Sequence, residues 1–146
     1  MASVHDVAAH ILEEYGSMTA LRLQRLVYYA QAWHLVWEDE PLFAERIEAW
    51  ANGPIVPALY RRHKGKLKLQ RSPGDPGRLT QGQLDSIEAV LDFYGSRTTS
   101  WLTELAQLER PWRDARRGIP PGERGEREIG KAALAEYYGS LLASAE

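Results

Sequence analysis

The stretch from Leu23 to Trp37 constrains this chain most. Leu23, Leu26, Val27, Ala30, Trp33 and Trp37 recur at helical spacing, and Tyr28 and Tyr29 add two further rings outside that stripe. A surface helix carries one apolar face, whereas a helix apolar around its circumference is stable only when other elements surround it. Thr19 is placed to cap its free N–H groups. The rest of the chain is therefore expected to wrap this helix, giving a mainly α, single compact domain over residues 1–146, with about six to seven helices.

The flanking segments carry their own punctuation. Ser3 caps a first helix through Tyr15, with Asp6 favouring its positive end and Gly16 closing it. Leu42, Phe43, Ile47 and Trp50 fit neither the helical nor the strand period, which leaves room for a short extended segment or hairpin near residues 42–52. The run Gly53-Pro54-Ile55-Val56-Pro57 cannot be a helix interior, so a helix begins only around Pro57, carrying Leu59 and Tyr60. An internal loop follows at Pro73, Gly74, Pro76 and Gly77. Thr80 and Gln83 form a capping box for a helix ending at Gly95. A further helix around Leu102 and Leu105 stops before Pro111, which opens a short helix bearing Trp112, and Leu134, Tyr137, Tyr138, Leu141 and Leu142 share one face of a last helix. Leu26, Trp33, Leu91 and Leu105 are expected in the core.

Several chemistries lack their residues. Cysteine is absent, which removes disulfides, thiol catalysis and thiolate metal sites. The four histidines form no zinc-binding pair on one helix, and no phosphate-binding glycine loop or serine elbow occurs. No catalytic residue, cofactor or metal is assigned, and an enzyme is not expected. No apolar run approaches the roughly 20 residues that span a bilayer, and the N-terminus lacks a basic start followed by an apolar stretch, so a cytoplasmic location is expected. The net charge of −2 is unevenly spread. Acids crowd Glu38 to Glu48, while Arg61, Arg62, Lys64, Lys66, Lys68 and Arg71 follow with no acid between them. That basic stretch contains no aromatic ring to stack a base, which argues against single-stranded nucleic acid.

Five tryptophans and seven tyrosines are many for a domain of this size. Such rings favour cores and interface hot spots alike. Trp50 and Trp112 lie beside proline-marked boundaries, where a side chain can reach a surface groove. The run Leu23-Gln24-Arg25-Leu26-Val27-Tyr28-Tyr29-Ala30-Gln31-Ala32-Trp33, then Pro41-Leu42-Phe43, then Ala49-Trp50-Ala51-Asn52-Gly53-Pro54 resembles the signature of the Panacea, or SocA-like, antitoxin domain. Glu109-Arg110-Pro111-Trp112 and the Tyr137-Tyr138 helix resemble its second half. One departure is visible: Ala106-Gln107 stands where the family often carries Thr-His.

The resemblance implies a helical bacterial or phage domain that neutralises a co-encoded protein toxin, usually by direct binding. Steric sequestration is the expected mechanism, with the toxin as partner and no membrane involved. The residues expected at the partner surface are Trp50, Asn52, Gly53, Pro54, Arg61, Arg62, Lys64 and Trp112. Two alternatives remain beside it: a nucleic-acid-binding regulator using residues 61–71, and an adaptor that delivers a toxin to a protease. The oligomeric state is left open.

Overall fold

The computed structural model describes residues 2–145. Its elements run α1 (Val4–Tyr15), β1 (Met18–Thr19), α2 (Ala20–Glu38), β2 (Ile47–Trp50), β3 (Gly53–Ile55), α3 (Pro57–His63), β4 (Lys68–Leu69), α4 (Gln81–Tyr94), α5 (Thr99–Leu108), α6 (Arg110–Ala115), β5 (Glu128–Ile129) and α7 (Lys131–Ala145). The mainly α reading holds. From Leu23 to Ala32 every residue of α2 is buried, because α1, α4, α5, α7 and the β2–β3 hairpin all pack on it.

Helix ends follow the local chemistry. Ser3 and Asp6 form a capping box on α1, Thr80 and Gln83 form another on α4, and Thr19 and Thr98 cap α2 and α5. α6 starts at Arg110, one residue before Pro111. Of the four side chains expected in the core, Leu26 and Leu91 are buried, whereas Trp33 and Leu105 are only partly covered. α5 turns its Leu102 and Ala106 row inward, which leaves Leu105 at the margin. Along α7, likewise, Leu134 and Tyr138 are buried while Leu141 and Leu142 stay exposed.

The extended piece read within residues 42–52 is a strand in a three-stranded sheet. β2 pairs antiparallel with β3, Trp50 opposite Gly53, so Ala51 and Asn52 alone make the turn. On its other side β2 pairs with β5, Ile47 opposite Ile129. This register sets Glu48 opposite Glu128, and Arg46 offsets the like charges, 2.9 Å from Glu48 and 3.9 Å from Glu128.

Two buried amides of α2 fasten the extended segment. Gln24 accepts from the Val56 N–H at 2.8 Å and donates to the Val56 carbonyl at 3.2 Å. Gln31 accepts from the Leu42 N–H at 2.7 Å and donates to the Phe43 carbonyl at 2.9 Å. Each amide does what a neighbouring strand would do, so irregular backbone can lie in the core without orphaned groups. A second buried polar set joins α2 and α7 to the α5–α6 junction: the hydroxyls of Tyr29 and Tyr138 donate to Glu109 Oε1 at 2.8 and 2.7 Å. Burial pushes the Glu109 carboxyl above its ordinary range, and the two hydroxyl donors only partly oppose that.

Candidate partner-binding groove

The β2–β3 turn is held from behind by side chains of three helices. Arg25, fully buried on α2, donates from Nη1 to the Pro54 carbonyl at 2.6 Å, from Nη2 to the Asn52 carbonyl at 3.2 Å and from Nε to Thr103 Oγ1 at 3.1 Å. Gln107 Nε2 donates to the same Asn52 carbonyl at 2.8 Å. Trp112 Nε1 donates to the Trp50 carbonyl at 2.8 Å, and Arg116 Nη1 to the Ala49 carbonyl at 3.0 Å. The backbone acceptors at 49, 50, 52 and 54 are thus all engaged by side chains from α2, α5 and the α6 region.

Arg25 explains the glycine of the turn. Gly53 has φ of +149°, a conformation side-chain-bearing residues rarely adopt, and a Cβ there would stand 2.5 Å from Arg25 Nη2. No carboxylate among the described residues pairs with Arg25. Desolvation lowers its pKa to about 10, so the guanidinium stays charged at neutral pH beneath the turn.

In front of the turn lies a groove of about 520 Å³, bounded by Leu21, Trp50, Asn52, Tyr60, Lys64 and the 122–126 segment. It runs on into a second hollow of about 400 Å³ that shares Leu21, Ile55, Tyr60 and Lys64 and ends at Leu67. Leu21, Tyr60 and Leu67 are 42%, 40% and 83% exposed, an unusual concentration of large apolar side chains in water. The Trp50 ring stands edge-on to Tyr60 at 4.9 Å, and its Nε1 donates to Glu48 Oε1 at 2.9 Å. Lys64, Lys66 and Arg124 supply cations along the groove; Arg124 already meets Glu126 at 3.2 Å.

Trp50, Asn52, Gly53 and Lys64 therefore come together at one place. The others do not. Pro54 is buried, with its carbonyl held by Arg25. Trp112 sits behind the hairpin under the Arg116 guanidinium, 5.3 Å from its ring, and does not line the groove. Arg61 is exposed on α3 outside it, and Arg62 turns to a separate hollow beside His5, Asp6 and Arg78. The basic stretch is split because α3 ends at His63 and the chain then doubles back through β4 to lie along the start of α2, where the Ala20 N–H donates to the Leu67 carbonyl at 3.1 Å. Sequence reasoning missed Leu21, Ile55, Tyr60, Leu67 and Arg124. Ile55 and Tyr60 carried a signal through the proline-marked run at 53–57 and the helix it opens, and Leu67 as a large apolar side chain between Lys66 and Lys68.

Among the described residues, one group of metal-ligand type is assembled from α1 and α4. His10, Glu14 and Glu88 place their donor atoms within 4.8 Å of one another. His10 Nε2 lies 3.1 Å from Glu88 Oε1, within hydrogen-bond distance, and Glu14 is exposed.

The model of the family described as "Antitoxin SocA-like, Panacea domain" matches residues 23–113, more than half of the chain. The chain belongs to the SocA-like Panacea family. The Panacea match opens at the first buried residue of α2 and includes Arg25, the hairpin, Gln107 and Trp112, so it spans the turn and most of what holds it. Arg116 and the 122–126 wall lie beyond it. No curated protein and no solved structure matches the chain.

Proposed function

We propose that this Panacea-family protein is an antitoxin that neutralises a co-encoded protein toxin in the cytoplasm by binding and sequestering it. The observation that carries this reading is the groove: exposed Leu21, Tyr60 and Leu67 beside a turn whose carbonyls are already tied down. Apolar and aromatic side chains on a pre-ordered backbone lose little entropy on binding, which is the character of an interface centre. Cations around them govern encounter and partner choice more than affinity. Trp50, Asn52, Gly53 and Lys64 are the partner-facing residues in this reading, with Pro54 and Trp112 acting behind the turn.

The test is co-expression with the product of the adjacent reading frame. Rescue of growth together with a stable co-purifying complex is the expected result; a toxic product that this protein neither rescues nor binds would sink the proposal. Rescue accompanied by a shortened toxin half-life would indicate delivery to a protease instead. A second reading has one observation in its favour, since the fold sets Trp50 and Tyr60 beside Lys64 and so supplies the rings that residues 61–71 lack. The edge-on packing of those rings suits base stacking poorly. Steeply salt-dependent binding of a single-stranded oligonucleotide would support it.

A further inference from the structure

We infer that the groove takes an acidic, apolar-centred segment of the toxin chain; this rests on the antitoxin reading above and names the part of the partner that enters. The charge on the groove's side of the molecule is left over. Lys64 and Lys66 make no ion pair among the described residues, and Arg25 beneath the floor has carbonyl and hydroxyl partners but no carboxylate. Asn52 and Pro54 lend their carbonyl dipoles, yet a buried cation held by neutral groups keeps its net charge, and low-dielectric walls direct that field into the adjoining cleft. Arg124 and Glu126 cancel each other at 3.2 Å. The complement of this surface is a run of carboxylates.

The apolar part distinguishes a polypeptide from a phosphate backbone. Leu67 projects between Lys66 and Lys68 at 83% exposure, and Leu21 and Tyr60 form the sill between the two hollows. Leucines offer no face for a base to stack on, whereas they are ordinary contacts for Leu, Ile or Phe of a protein segment. Two hollows meeting at one sill suit two apolar side chains on one segment, with carboxylates flanking them over Lys64 and Lys66.

The experiment measures association and dissociation rates of the purified adjacent-frame protein with wild type, with Leu67→Ser and with Lys64→Glu/Lys66→Glu, at two salt concentrations. All three positions are exposed, and unchanged melting temperatures verify the fold. The expected results are an about tenfold faster dissociation for Leu67→Ser, and an about tenfold slower association at low salt with a flattened salt dependence for the lysine pair. Overlapping peptides of the adjacent-frame protein should bind only where acidic residues flank large apolar ones. If both variants bind and rescue like wild type, the segment docks elsewhere and this inference falls while the antitoxin reading stands. If wild type itself neither binds nor rescues, both fall. Oligothymidylate binding that is lost in the lysine pair would place nucleic acid in the groove and overturn the inference.

Discussion

At Gly53 two demands fall on one missing methyl group: a φ of +149° and the guanidinium of Arg25 where a Cβ would go. Backbone strain of this kind is worth roughly 1–3 kcal/mol, so Gly53→Val should lower the melting temperature and weaken toxin neutralisation together. The second demand is separable from the first. In an Arg25→Met background Gly53→Ala should be milder than in wild type, with a coupling energy of about 0.5–3 kcal/mol by double-mutant cycle. Strict additivity would mean that the close approach to Arg25 has no energetic weight. The glycine was legible in the sequence, because Pro54 and Pro57 forbid a helix around it. Its cause was not, since an arginine inside a helical stripe reads as solvated, and only the fold reveals that Asn52 and Pro54 carbonyls draw Arg25 inward.

Between elements, Glu109 and Gly74 are the informative joints. Glu109 is buried where α5 gives way to α6 and receives hydroxyls from α2 and α7. Its carboxyl pKa is raised by burial, so the folded state holds a proton more tightly than the unfolded chain does. That contribution to stability is complete below the ordinary value of 4.5 and is lost as pH rises through the higher folded value. Glu109→Gln keeps an acceptor for both tyrosines and removes the charge. Wild type should therefore gain on Glu109→Gln in unfolding free energy as pH falls from neutral toward 4.5, and parallel curves would contradict this. Gly74 serves a different joint: a Cβ there would strike the His5 carbonyl and the Asp6 N–H, while Asp75 N–H donates to Asp6 Oδ1 at 2.8 Å. Gly74→Ala should destabilise by at least about 1–3 kcal/mol in denaturant titration, whereas Gly130→Ala, where a Cβ meets nothing within 4 Å, should change little. Capped helices were readable because their signals are local. β5 was not, because Glu128–Ile129 becomes a strand only by pairing with β2, far away in the chain.

Over the whole molecule, the central place of α2 was legible from its all-round apolarity, whereas Leu21, just ahead of that buried stretch and 42% exposed, gains its meaning only from the groove it borders. The basic stretch also changes meaning at this scale. It reads in sequence as a single strip, but Lys64 faces the groove while Arg62 faces away. Lys64→Glu should slow toxin association at low salt, and Arg62→Glu should leave the rate unchanged within about twofold; equal effects would restore the single-strip picture. The hairpin turn, finally, depends on residues made long after it. Asn52 leaves the ribosome well before Gln107, Trp112 and Arg116, the latecomers that grip its neighbourhood, and before Arg124 and Ile129, which supply a wall and the third strand. At ~5–20 residues per second, that wait is on the order of several seconds. The groove is thus assembled only after residue 129 has been made, and a chain broken ahead of that point carries the Asn52 turn without the side chains and the third strand that hold it in place.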